Sequence, residues 1–145
     1  GTFTLASRLG GHRLATQGDA DRHAETVRVP CRAPDGWVSS LGIAPAAVAF
    51  IKCDIQGWEP HVLRGAAAML AKRHIVWEVE VSPKHLIEAG SSVAELCSLI
   101  EPHFNRFIDV RGRSFESHPT SQLPTSLQDL GATRRYTNLL LYNVA

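Results

Sequence analysis

Paired cysteines, long apolar runs and an excess of either charge are all missing from this chain. Its three cysteines, Cys31, Cys53 and Cys97, are odd in number, widely spaced and without a C-x-x-C pair. That argues against a disulfide framework and against a zinc ribbon. Cys53 and Cys97 sit among apolar residues, where free cysteine behaves as a small hydrophobe, and a reducing cytoplasmic compartment is the expected location. No run reaches the roughly 18 apolar residues that a membrane-spanning helix needs. Gly1 to Leu5 lack a basic segment leading into an apolar stretch, so they do not read as a signal peptide. An initiator methionine is missing too, and the chain reads as a fragment or a processed piece. A formal charge of +1, from 15 basic and 14 acidic residues, leaves no electrostatic footprint for nucleic acid or anionic membrane. Neither G-x-S-x-G, H-E-x-x-H nor G-x-x-x-x-G-K-[ST] occurs. The seven histidines are dispersed, so no metal ligand set is expected.

What is present reads as an α/β chain. Its 145 residues, 44% hydrophobic and 20% charged, suffice for one buried core. Residues 1–26 are weakly patterned, with turn signals at Gly10-Gly11 and Gly18-Asp19. Gly10-Gly11 is assigned to a turn rather than a nucleotide loop, because no apolar helix follows. Val27 to Cys31 alternates like a short strand, and Pro30 suggests a sheet edge. Asp35-Gly36 opens a short amphipathic piece closed by Gly42. The run 48–54 is nearly all apolar, the signature of a strand buried on both faces. A helix follows, with Pro60 in its first turn, an apolar stripe from Val62 to Leu70, and Lys72-Arg73 at its end. Residues 75–81 read as the next strand. Ser82-Pro83 starts a helical stretch that pauses at Gly90, and Ser92 with Glu95 forms a capping box for another. Residues 104–110 are a third strand, 112–133 a polar loop, and 136–144 the last strand. Strand–helix–strand–helix–strand spacing implies right-handed crossovers and a mostly parallel sheet. Ligands then belong outside the carboxyl ends of the strands, after Asp54 and around Glu78 to Ser82.

The chemistry is concentrated there. Charge inside a buried strand is unusual, because an unpaired buried ion costs several kcal/mol. Period two puts Phe50, Lys52 and Asp54 on one face, so Lys52 and Asp54 can pair. Gly57 permits a tight turn into the helix, and Glu59 lies where the helix N-terminus favours negative charge. Glu78 and Glu80 share one face of the next strand, Trp77 and Val79 the other. If the two strands are neighbours, a carboxylate from each converges on one site. Glu80 reads as solvated at a strand end, whereas Glu78 is harder to explain that way. A capped helix with a structural ion pair explains Lys52 and Asp54 about equally well. The same carboxylates leave two further options open, a general base and a divalent-cation site.

Ile51-Lys52-Cys53-Asp54-Ile55-Gln56-Gly57-Trp58-Glu59 followed by Val62-Leu63-Arg64-Gly65-Ala66 resembles the "iKiDvEGaE…vLkGa" signature of FkbM-type methyltransferases. Flanking pieces fall in the right order: Gly1 to Leu5 resembles a "GssSL" segment, and Val27-Arg28-Val29-Pro30 with Asp35 the approach strand. Ile75 to Glu78 resembles the "vllE" strand, and Asn138-Leu139-Leu140 the closing "N-l-l" strand. The resemblance covers essentially the whole chain. It departs at Gln56, where the family usually carries Glu. It implies a Rossmann-like methyltransferase sheet, mostly parallel with an antiparallel last strand. Residues 1–145 would then be a single partial domain, the C-terminal part, without the N-terminal cofactor-binding half. It further implies S-adenosyl-L-methionine as cofactor, with its main binding loop upstream of every residue present, so the chain alone should bind it poorly. The implied reaction is O-methylation of a small-molecule hydroxyl on a sugar, glycan-lipid or polyketide-like acceptor. Asp54 would position or deprotonate that hydroxyl, Glu78 assist, and Lys52 and Glu59 fix Asp54. Gln56, Gly57 and Trp58 would line the substrate pocket, and no metal is assigned. A homo-oligomer is a possible assembly, through the open edge of strand 48–54. Two alternatives stand beside this reading: a non-catalytic binding or assembly domain on the same scaffold, and a metal-dependent hydrolase built on the carboxylates.

Overall fold

The structure is a computed structural model that describes residues 2–4, 13–14, 26–111, 115–133 and 136–145. The turns expected at Gly10-Gly11 and Gly18-Asp19 lie outside these residues. The chain divides into two compact units, residues 1–32 and 33–145. In the first, β1 (Thr2–Thr4) pairs antiparallel with β2 (Arg13–Leu14) on one side and β3 (Thr26–Arg28) on the other. β3 is thus an edge strand, as Pro30 just beyond it suggested, while β1 and β2 arise where the pattern was weak.

The second unit is a mixed α/β layer around a five-stranded sheet in the order β4-β5-β8-β6-β7. Its strands are β4 (Phe50–Cys53), β5 (Val76–Val81), β6 (Arg106–Asp109), β7 (Ser117–Pro119) and β8 (Thr137–Tyr142). The last strand is antiparallel, as expected. The sheet is not mostly parallel, however. β4–β5 is parallel, whereas β5–β8, β8–β6 and β6–β7 are antiparallel. β6 runs the same way as β5 but does not touch it, because β8 inserts between them.

One sheet face carries the core. Trp77, Val79 and Val81 of β5, Leu139 and Leu141 of β8, and Phe107 of β6 are all buried. Fully burying a side chain of this kind contributes about 1.5–3 kcal/mol, so this face outweighs the weak intrinsic preference of such short strands. The opposite face carries Phe50, Lys52, Glu78, Glu80, Asn138 and Leu140 in register. Burial of β4 on both faces is therefore not what the fold adopts: Phe50 is half exposed, and β4 has β5 as its neighbour among the described residues.

The helices up to residue 100 follow the sequence with one change. α1 (Pro34–Ser40) ends before Gly42, and the single helix expected after β4 is split into α2 (Glu59–Arg64) and α3 (Ala67–Leu70). The split has a donor–acceptor cause. Asp35 of α1 accepts from the backbone N–H groups of Ala68 at 2.7 Å and Met69 at 3.3 Å, satisfying the start of a new helix. α4 (Pro83–Glu88) and α5 (Val93–Ile100) come next, and Ser92 caps α5 by accepting from Glu95 N–H at 3.1 Å. α2 packs on α5, and Arg64 pairs with Glu95 between them.

The polar loop expected at 112–133 is largely ordered structure. It contains β7, a 3-10 turn at Thr120–Gln122, α6 (Leu123–Ser126) and α7 (Gln128–Thr133). Leu123, Leu127 and Leu130 are buried. Their i, i+4, i+7 spacing is a helical stripe hidden among Ser, Thr and Pro. Arg111 ties the segment down by donating to Asp109, Asp129 and the Ser126 carbonyl.

Candidate active site

The parallel β4–β5 ladder sets Lys52 directly beside Glu78. Lys52 Nζ lies 2.6 Å from Glu78 Oε1 and 3.6 Å from Asp54 Oδ2. One ammonium thus bridges two carboxylates at the carboxyl edge of adjacent parallel strands. The Glu78 hydrogen bond is the main reason the Lys52 ammonium is held above its ordinary range.

The β4–α2 turn then folds back over this edge. Gln56 and Gly57 both adopt positive φ, 55° and 100°. The strain at Gln56, of order 1 kcal/mol or more, aims its amide at two carboxylates. Gln56 Nε2 donates to Asp54 Oδ1 at 3.2 Å and to Glu80 Oε2 at 3.0 Å. A glutamate here would offer one more acceptor to a place already full of them. The departure from the family pattern therefore supplies two donors rather than stripping the site.

Gly57 has a backbone reason to be glycine. A Cβ there would sit 2.1 Å from the His85 carbonyl oxygen, so the turn presses on the start of α4. Its contribution to a pocket is this close approach. Glu59 stabilises the same turn: its Oε1 accepts from the N–H groups of Ile55 at 3.0 Å and Gly57 at 3.3 Å. Its carboxylate serves the backbone rather than Asp54. Glu59 is 1% exposed and its Oε2 has no partner among the described residues. Burial raises its pKa in spite of those hydrogen bonds. Trp58 is half-buried, packs its ring 4.7 Å from His61, and leaves its indole N–H buried without a partner among the described residues.

Glu80 was expected to be solvated at a strand end, and the structure corrects this. It is 7% exposed. Burial first, and the nearby charges of Asp54 and Glu59 second, push its pKa up to about 7. The two-residue step from Lys52 to Asp54 matches the step from Glu78 to Glu80. A ladder that aligns the first pair therefore aligns the second, and that signal was present in the sequence. Across the antiparallel ladder Glu80 faces Asn138, whose Oδ1 is buried without a partner among the described residues. Asn138 entered the sequence reading only as part of the closing strand.

The edge thus gathers Asp54, Glu59, Glu78 and Glu80 around one lysine and one amide. It is rich in acceptors and negative, which suits hydroxyl donors and cations. Among the described residues no group of three or more His, Cys, Asp and Glu is arranged to hold a metal ion. Cys53, just before Asp54, is buried, and its thiol is pushed up to about 12, chiefly by burial, so it is an inert packing group. A cavity of about 670 Å³ lined by Val38, Ile43 and Met69 lies between α1 and α3 and shares no residue with this edge. No helix among the described residues is long and apolar enough to cross a membrane.

A polar, anionic strand edge on a mixed α/β sheet is the arrangement of an α/β enzyme whose ligands bind at strand ends. The model of the methyltransferase FkbM domain matches residues 2–109, from β1 to the end of β6. That is most of the chain, and the chain belongs to the FkbM methyltransferase family. No curated protein and no solved structure gives a match.

Proposed function

We propose that the chain carries the acceptor side of an S-adenosylmethionine-dependent O-methyltransferase with a Rossmann-like sheet, acting on a hydroxyl of a sugar, glycan-lipid or polyketide-like molecule. The observation that carries this reading is the continuous chain Glu78–Lys52–Asp54–Gln56–Glu80 at the carboxyl edge of β4 and β5, in a chain of this family. Methyl transfer to oxygen needs a held hydroxyl and a place for its proton, not a covalent enzyme intermediate. Asp54, 36% exposed at its side chain, is reachable by an acceptor and positions its hydroxyl. Lys52 and Glu78 hold Asp54 in place, and Gln56 fixes it from the other side. Glu59 acts one step back, by holding the turn that carries Gln56 and Gly57.

The donor set fits the reacting end of the cofactor. S-adenosylmethionine, when bound, supplies an electrophilic methyl on a sulfonium cation, and an edge with more carboxylates than ammonium groups favours that charge. No described residue is assigned to its adenosine.

Asp54→Asn is the test. Turnover is expected to fall about a hundredfold or more, with a much smaller loss of S-adenosylmethionine affinity. Steady-state kinetics beside calorimetric titration separate the two. Unchanged turnover, or a collapse of cofactor affinity alone, rejects the role.

A further inference from the structure

Residues 36–49 carry no charged side chain, in a chain of which 20% is charged. The stretch runs from the first turn of α1 into the approach to β4, and most of it is exposed. Three of its large apolar side chains face outward: Trp37 and Leu41 are each 53% exposed, and Ile43 is 43% exposed. Leu41 N–H donates to the Trp37 carbonyl at 3.2 Å, so the two stand one turn apart and form an i, i+4 ridge. Beside that ridge opens the cavity of about 670 Å³ between α1 and α3. Gly36 and Val38, on either side of Trp37, line it, and so does Gly42, next to Leu41. Buried Met69 and the more exposed Ile43 complete an apolar wall. Asp35 also lines the cavity, but both of its carboxylate oxygens are engaged by the N–H groups of Ala68 and Met69. Those bonds and the burial of Val38 hold α1 in place, so ridge and cavity are formed before anything docks.

We propose that this face is where two copies of the chain meet across a twofold axis, the Trp37–Leu41 ridge of each seated in the cavity of the other. Knob and hole lie side by side on one helix. A twofold contact requires that, because a single patch must present both halves of the fit. Pockets of roughly 300–1,000 Å³ hold drug-sized molecules, so this one has room for an indole and a leucine side chain together.

The missing charge selects the occupant. Close to a twofold axis a side chain meets its own copy, so a charge of either sign would repel itself, and a neutral patch avoids that cost. An anionic membrane or an acidic partner would be drawn by Lys and Arg, and residues 36–49 offer neither. Depletion of charge with an exposed Trp and a nearby Met is the composition of a protein–protein contact core. Size sets the strength. A standard interface engages about 20–30 residues a side, and residues 36–49 with Ala68 and Met69 fall short of that. The dimer is therefore a weak one, with a Kd of about 10–100 μM.

Sedimentation velocity of the full chain from about 1 to 200 μM is the test, with monomer expected at the low end and dimer at the high end. Trp37→Ala removes the knob, and Ser39→Phe fills the hole from a position that lines it. Both positions are exposed, so both variants should fold, and each should weaken the dimer about tenfold or more. Mixing the two variants is the decisive arm. The mixed pair keeps one knob-in-hole contact of two, so it should associate more tightly than either variant does with itself. Mixed association no tighter than that of the separate variants overturns the reciprocal fit. A dimer that neither variant weakens forms elsewhere, as through the edge of β4, and overturns the proposal. So does a full chain that stays monomeric at about 200 μM. In that case shielding of Trp37 from acrylamide quenching would assign the face to another segment of the same chain, and shielding only on adding lipid vesicles to a membrane surface.

Discussion

Alanine at position 57 is expected to cost about 3 kcal/mol or more of stability, and to abolish turnover with it. Two effects add. The backbone there has φ +100°, a region that alanine adopts only with strain. The new Cβ would also lie 2.1 Å from the His85 carbonyl oxygen and 2.4 Å from its carbon. Both are backbone atoms at the start of α4, so no side-chain rotation relieves the clash. The turn would have to lift away, taking with it the N–H that Glu59 accepts and the Gln56 amide that joins Asp54 to Glu80. Gly42 is the internal control: its φ is +70° but no described residue stands within 4 Å of a Cβ. Gly42→Ala should therefore cost about 1 kcal/mol, from backbone strain alone. Urea unfolding midpoints of the two variants make the comparison, and equal losses would contradict the close approach of the turn to α4.

The second large effect is a gain. Glu80→Gln is expected to stabilise the chain at pH 8 and not at pH 4. The folded pKa of Glu80 is raised from 4.5 to about 7. Below pH 4.5 the group is protonated in both states and nothing is lost. Between the two values the folded state holds a proton that the unfolded state has released, so stability falls as pH rises. Above pH 7 the full cost of ionising the buried carboxylate is present, about 3 kcal/mol as an upper figure. Glutamine keeps the shape without that cost. Thermal unfolding should show the variant melting several degrees higher at pH 8, with the difference closing as pH falls through 7 towards 4.5. A pH-independent difference would mean that Glu80 is not the buried, titrating group.

Much of the site was legible from alternation alone. Period two placed Lys52 with Asp54 and Glu78 with Glu80, and neighbouring parallel strands did bring them to one edge. The places of β4, β5, β6 and β8, the Ser92 cap and the breaks at Gly42 and Gly90 were also readable, because each is decided by residues adjacent in sequence. What was missed is decided by distant ones. Burial of Glu80 depends on β8 joining β5 from more than fifty positions away, and no local pattern carries that. The break between α2 and α3 is made by Asp35, about thirty residues upstream. The insertion of β8 between β5 and β6, which replaced an expected parallel pairing with two antiparallel ladders, is a long-range choice of the same kind. The leucines at 123, 127 and 130 were local, but Pro124 and the surrounding Ser and Thr masked their helical spacing.

The most direct test of the central reading is the fate of a labelled methyl group. The full chain, in the longest form that its gene encodes, is incubated with methyl-labelled S-adenosylmethionine and polyols bearing vicinal hydroxyls, and the product is treated with mild base. The account predicts a base-stable methyl ether on an acceptor oxygen, formed by the wild type and reduced about a hundredfold or more in Asp54→Asn. Label that appears on nitrogen or sulfur instead, or that reaches no acceptor at all, would contradict it.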